Sequence, residues 1–85
     1  MNSEGKNEGV TVKCFNIRYT ERSMSANLQV TNEETVYRLL VNFSKNAFLL
    51  DPTNDNEFVK RAARELIVKL QENGELNENE VIVIN

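Results

Sequence analysis

The chain has 85 residues, a hydrophobic fraction of 40%, a charged fraction of 27% and a formal net charge of −3. This length supports one domain, because a second would be too small to hold its own core, and the composition is that of a soluble globular protein. The net negative charge disfavours non-specific binding to nucleic acid or to anionic membranes, although a local basic patch can override the average.

Catalytic and metal-binding chemistry have few candidate residues. The chain contains no histidine and one cysteine, Cys14, so the usual general base at neutral pH is missing and the common zinc-binding spacings are excluded. None of the three glycines stands at a strand-to-helix turn, so the pattern predicts no phosphate-cradling loop. We therefore expect a protein that is not an enzyme and that uses no metal or cofactor.

Several features favour a cytoplasmic protein. One cysteine cannot form an intramolecular disulfide, which suits a reducing compartment. The first residues lack the apolar run of a signal peptide, and no apolar run is long enough to span a bilayer. The 13 asparagines favour an AT-rich genome, such as that of a low-GC bacterium or its phage.

The first half of the chain predicts a series of short strands. Residues 1–9 are polar and predict a disordered tail, and residues 10–85 are expected to form a single domain. Residues 10–19 (VTVKCFNIRY) read as a strand with broken alternation, because Val12 and Cys14 would share one face while Phe15 and Ile17 share the other. Either a β-bulge moves the pattern across, or both faces are partly covered.

Three more strands are predicted before the helix. Residues 24–31 (MSANLQVT) alternate strictly, residues 35–43 (TVYRLLVNF) carry a second alternating pattern, and residues 47–50 (AFLL) form a short fourth strand. The inward-facing residues of the first two are Met24, Ala26, Leu28 and Val30, and Tyr37, Leu39, Val41 and Phe43. Connections this short can join only antiparallel neighbours, so the four strands should form a meander.

A helix should follow the polar loop that contains Pro52. We expect Asn54 to cap its start, with Glu57 completing a capping box, and Gly74 to end it after about Asn73. At 100° per residue, seven apolar residues form one continuous arc of about 180° that should face the sheet. These residues are Phe58, Val59, Ala62, Ala63, Leu66, Ile67 and Leu70.

The predicted architecture is α+β, in the order β-β-β-β-α-β. An antiparallel meander of three to four strands carries one amphipathic helix packed on one face, and a C-terminal strand lies beside the sheet. That last strand, residues 81–84 (VIVI), has no alternation, so either both of its faces are covered or it lies at an interface.

The basic cluster of the helix has two interpretations. Lys60, Arg61 and Arg64 lie on the arc opposite the apolar residues and could bind phosphates. The acidic residues Glu57, Glu65 and Glu72 share that arc, and neighbouring carboxylates weaken the field that a phosphate site needs. We therefore interpret the cluster as a solvated helix face.

A second candidate for nucleic-acid contact lies on the sheet. Arg18 and Arg38, together with Tyr19 and Tyr37, could form a basic and aromatic surface of the kind that stacks single-stranded bases. If Tyr37 faces the core with Leu39, however, it points away from Arg38. The simpler interpretation is that the tyrosine rings are buried and the arginines are solvated.

One helix cannot cover all the apolar residues of the sheet. Val36, Leu40, Val81 and Val83 should remain exposed, and contiguous apolar patches usually mark contact sites. An open sheet edge is another possible contact site, because its unpaired backbone groups can accept a strand. We therefore predict self-association as a two-fold homodimer, through the reverse face of the sheet or through an edge.

Taken together, these patterns predict a small cytoplasmic binding or regulatory protein that acts through protein–protein contacts. A nucleic-acid-binding domain, using Lys60, Arg61 and Arg64 or the surface around Arg18 and Arg38, is the main alternative. A dimer that holds an apolar small molecule between sheet and helix is a third possibility.

Overall fold

The computed structural model describes residues 9–53 and 56–84 of the chain. Within these ranges the order of elements is β-β-β-β-α-β, which confirms the predicted α+β architecture. The elements are β1 (Val10–Tyr19), β2 (Ser23–Val30), β3 (Tyr37–Asn42), β4 (Ala47–Asp51), α1 (Glu57–Asn73) and β5 (Glu80–Ile84). Apart from Gly9, the predicted tail of residues 1–9 lies outside the described residues.

The five described strands form one antiparallel sheet in the order β4-β3-β2-β1-β5. The first four make the predicted meander, and their short turns use asparagines in the left-handed conformation, with φ of 74° at Asn32 and 53° at Asn46. The last strand lies beside β1, where the two pair antiparallel. The two edges of the sheet are therefore β4 and β5.

Helix α1 lies across one face of the sheet and packs over β5, β2 and β1. We call this face of the sheet the inner face and the opposite one the outer face. The alternation predicted for β2 is confirmed, because its inward residues are all buried. These residues are Met24, Ala26, Leu28 and Val30. Leu39 and Val41 of β3 and Leu66 of α1 complete the centre of the core.

The start of α1 differs from the prediction. Asn56 is the N-cap, and its side-chain oxygen accepts hydrogen bonds from the backbone N–H groups of Phe58 (2.9 Å) and Val59 (3.2 Å). The expected cap at Asn54 with Glu57 as its capping-box partner was wrong, because the cap must directly precede the first helical residue to reach these donors and Glu57 is itself that residue. Asn54 itself is not among the described residues.

The end of α1 is as predicted. Gly74 adopts a φ of 78°, and its backbone N–H donates to the Leu70 carbonyl at 2.7 Å. Phe58 was wrongly placed in the core stripe. It is 40% exposed, because the buried arc is centred on Leu66, so that Phe58 lies at the margin of this arc in the first turn. In the described part of the chain, the structure contains no helix with the length and apolarity needed to cross a membrane.

A β-bulge explains the broken alternation of β1. Phe15 pairs with Asn27 and Arg18 pairs with Ser25, so Asn16 and Ile17 together face one residue of β2. Asn16 takes a left-handed φ of 54°, the conformation of the first residue in one of the common types of β-bulge. The extra residue returns Ile17 to the inner face, where it is buried, and its N–H donates to the Glu78 carbonyl at 3.1 Å. Of the two explanations offered by the sequence, the bulge is the right one.

Candidate functional site

The single cysteine is part of the core. Cys14 is 1% exposed and faces α1 from β1, with its Sγ atom 3.8 Å from the Val12 carbonyl oxygen. Burial raises the pKa of its thiol to about 12, and the nearby Glu80 carboxylate adds to this effect. The thiol is therefore protonated at neutral pH and behaves as a small apolar side chain. Among the described residues no group of three histidine, cysteine or acidic side chains could hold a metal ion.

An ion pair ties the edge strand β5 to α1. The Lys69 ammonium donates to one carboxylate oxygen of Glu80 at 2.9 Å, and the backbone N–H of Asn77 donates to the other at 3.0 Å. The Lys69 ammonium and then the Asn77 N–H stabilise the ionised form and lower the pKa of Glu80. This carboxylate therefore has a structural role, because it holds the loop before β5 against the helix.

The basic residues of α1 are divided between two surfaces. Lys60 and Arg64 are one turn apart and line the same hollow between the helix and β4. Arg61 does not line this hollow and is exposed. Arg64 has no ion-pair partner in the described residues. The structure thus brings two of the three predicted basic residues together, beside the open edge of the sheet.

A long groove lies between α1 and the β4 edge, and we call it the α1–β4 groove. Two adjoining hollows of about 300 and 270 Å³ share Phe48 and Arg64, and a third, of about 500 Å³, joins them at Phe43 near the end of the helix. The apolar residues of the first two hollows include Val41, Phe43, Ala47, Phe48, Leu50, Ile67 and Val68. Among the described residues, no carboxylate lines either of these two hollows.

The groove exists because one helix is too narrow for this sheet. Five strands span four gaps of about 4.8 Å, or roughly 19 Å, whereas a helix with its side chains is about 10–12 Å wide. Because α1 packs over β5, β2 and β1, the inner face of β4 is left partly uncovered. Phe48 and Leu50 are only half-buried there. The sequence had marked residues 47–50 as a strand but carried no signal for where the helix would cross the sheet.

The predicted basic and aromatic surface of the sheet is only partly present. Arg18 and Arg38 lie on the outer face and line one hollow of about 270 Å³. Tyr37 is 3% exposed and therefore lies in the core on the inner side of β3, as the simpler interpretation expected. The same interpretation was wrong for Tyr19, whose side chain is 38% exposed near the end of β1, where its hydroxyl accepts a hydrogen bond from the Leu76 N–H at 3.2 Å. The aromatic residue that shares the outer face with the arginines is Phe15, which the sequence had not singled out.

The four candidate interface residues are all exposed, but they lie at two separate places. Leu40 is on the outer face of β3, and Val36 lies just before that strand. Val81 and Val83 are on the outer face of the edge strand β5, where each is 59% exposed. Strands β2 and β1 lie between the two pairs and present polar residues such as Asn27 and Gln29. The four residues therefore do not form one contiguous patch.

Comparison with known proteins found no matching family model, no matching curated protein and no matching solved structure.

Proposed function

We propose that this protein is a non-enzymatic binding protein, and that its α1–β4 groove receives an amphipathic helix with an acidic flank from a partner protein. The observation that carries the proposal is an apolar groove whose only described charged residues near β4 are the basic Lys60 and Arg64. In a protein with a net charge of −3, Arg64, which has no ion-pair partner among the described residues, gives this surface a local positive charge that attracts acidic groups.

The dimensions of the groove favour a helix as its occupant. From Lys60 to Gly74 it follows α1 for about 21 Å, at 1.5 Å per residue, which equals roughly four turns of a second helix. A helix placed beside α1 would cover the inner face of β4, as paired helices cover a sheet in other two-layer folds. Its apolar side would contact Phe48 and Ile67, and its acidic flank would face Arg64.

The test uses a displayed library of amphipathic helical peptides, with measurement of the selected peptides by fluorescence anisotropy. We expect selected peptides to carry Asp or Glu along one flank. The double variant Lys60→Glu, Arg64→Glu should weaken their binding at least tenfold, because two attractive contacts become repulsive. Arg61→Glu is the matched control and should leave affinity unchanged, since Arg61 does not line the groove.

A charge exchange completes this experiment. Replacing the acidic residues of a selected peptide by lysine should abolish binding to the natural protein and restore it to the double variant. A library that yields no binder, or binders equally tight for both proteins, would contradict the proposal. Binding by extended peptides that broaden the amide signals of β4 alone would instead indicate strand addition at that edge.

Self-association through β5 is the second part of the proposal. This strand pairs only with β1 among the described strands, which leaves its other edge open. An antiparallel pair of β5 strands related by a two-fold axis at Ile82 would place each Val81 beside the Val83 of the second copy. This arrangement would cover the two most exposed valines of the chain's described part, and within the two paired strands it would place no like charges opposite each other.

Sedimentation velocity over the micromolar range tests this dimer. We expect a concentration-dependent dimer that the double variant Val81→Lys, Val83→Lys converts to a monomer. Val36→Lys is the control and should still dimerise, because Val36 lies at the other side of the sheet. A natural protein that stays monomeric over the whole concentration range would disprove the dimer and would leave the proposal for the α1–β4 groove unaffected.

A further inference from the structure

The outer face of the sheet carries a basic surface that the bulge in β1 creates. In a regular strand Arg18 would lie on the same side as Cys14 and would face the helix. The extra residue Asn16 reverses this, so Arg18 lies on the outer face opposite Ser25 of β2. Bulges commonly re-aim one side chain in this way beside a functional site.

The hollow next to the bulge is polar and has an arginine on each side. Arg18 comes from β1 and Arg38 from β3, and between them lie the neutral hydrogen-bonding residues Asn16, Ser25 and Asn27. Neither arginine has an ion-pair partner among the described residues. Two guanidinium groups that line one hollow and make no ion pair within the described residues are suited to bind an oxyanion such as a phosphate group.

The charges around this hollow are mostly of one sign. Lys13 lies on the same outer face of β1, opposite Gln29 of β2. Asp51 of β4 is the one acidic residue among the described strand residues of this face. It is the cross-strand neighbour of Arg38 in the sheet register, and β4 lies on the side of β3 that is away from the hollow. Asp51 does not line the hollow and makes no ion pair with Arg38. Among the described strand residues of this face, the basic residues Lys13, Arg18 and Arg38 therefore outnumber the acidic Asp51, although the chain as a whole carries a net charge of −3.

An aromatic ring lies within this basic surface. Phe15 is half-buried on the outer face, opposite Asn27 and between Lys13 and Arg18 along β1. It is not among the partly buried hydrophobic residues that pack against the core. Its ring is therefore partly open to a ligand. A flat aromatic face beside basic residues is the arrangement that stacks unpaired bases.

We propose that the outer face of the sheet binds single-stranded nucleic acid, with phosphates at Lys13, Arg18 and Arg38 and a base stacked on Phe15. This site lies on the face opposite the α1–β4 groove and is independent of the proposed helix-binding function. A single strand is favoured over a duplex because its bases have free faces for Phe15. Asn16 and Asn27 can donate and accept hydrogen bonds at base edges beside the hollow.

The test measures binding of a labelled oligothymidylate by fluorescence anisotropy at low and at physiological salt. We expect binding that weakens with salt, with a logarithmic slope of about −2 for three phosphate contacts at about 0.7 each. Arg18→Glu with Arg38→Glu should weaken binding more than tenfold. Phe15→Leu keeps an apolar side chain but removes stacking, and should weaken binding about fivefold or more.

The controls separate this site from the groove and from simple anion binding. Lys60→Glu with Arg64→Glu leaves the outer face intact and should bind the oligonucleotide as the natural protein does. A duplex of the same length should bind more weakly, and thermal unfolding should show that each variant is folded. The proposal is overturned by no binding at low salt, by equal binding of duplex and single strand, or by full binding in the arginine double variant. Binding of inorganic phosphate without any binding of the oligonucleotide would also overturn the proposal.

Discussion

Leu66→Ala is expected to lower the free energy of unfolding by about 3 kcal/mol, within the 2–5 kcal/mol range of such core substitutions. Leu66 is 0% exposed and lies at the centre of the buried arc of α1, against the inner face of the sheet. Removing three carbon atoms there leaves a cavity, because the helix above and the sheet below cannot both close around a methyl group.

Urea unfolding measures this change, with Val68→Ala as the matched control on the same helix. Val68 is 46% exposed, so its truncation should cost well under 1 kcal/mol. A chain of 85 residues has a total stability of about 4–13 kcal/mol at typical values per residue, so the Leu66 variant should be markedly less stable. Equal losses for the two variants would show that α1 does not pack on the sheet through this face.

Asn16→Val is expected to destabilise the protein by about 1–2 kcal/mol, while Asn16→Gly should be close to neutral. Asn16 has a φ of 54°, a left-handed conformation that asparagine and glycine tolerate and that a β-branched side chain strongly disfavours. Asn16 is exposed, so the loss cannot come from packing. The comparison of the two variants by urea unfolding isolates the backbone conformation of the bulge.

The same substitution also tests how the outer face is built. If Asn16→Val shifts the register of β1, Arg18 no longer lies beside the polar hollow, and oligonucleotide binding should fall together with stability. Asn16→Gly preserves the backbone and should keep Arg18 in place. A valine variant as stable as the natural protein would show that residue 16 does not need the left-handed conformation.

Much of the fold follows from local pattern. Strict alternation in residues 24–31 predicted β2 and its inward residues, and the spacing of apolar residues predicted α1, since both periods reflect which side chains meet the core. The end of the helix was predicted from an equally local signal, which is the glycine at position 74 directly after the last helical residue. The N-cap could not be predicted from a local signal, because Asn54 and Asn56 are both suitable capping residues and only the position of the first helical residue decides between them.

The candidate sites were less predictable, because each depends on two or more elements. Arg18 and Arg38 were recognised as a possible pair, but the bulge that places Arg18 on the outer face is invisible to a simple period-two pattern. Tyr37 was offered as the aromatic partner, although its own strand pattern already placed it with Leu39 in the core. Phe15 lay in the broken part of the β1 pattern, where the sequence left two explanations open.

By itself, the sequence determined the kinds of elements, their order and most of the residues they bury, because these depend on spacing along the chain. Only the tertiary structure decided where β5 joins the sheet and which strands α1 covers, because these depend on packing between segments far apart in sequence. The α1–β4 groove and the polar hollow on the outer face both arise from that packing. They follow from a helix narrower than its sheet and from one extra residue in β1.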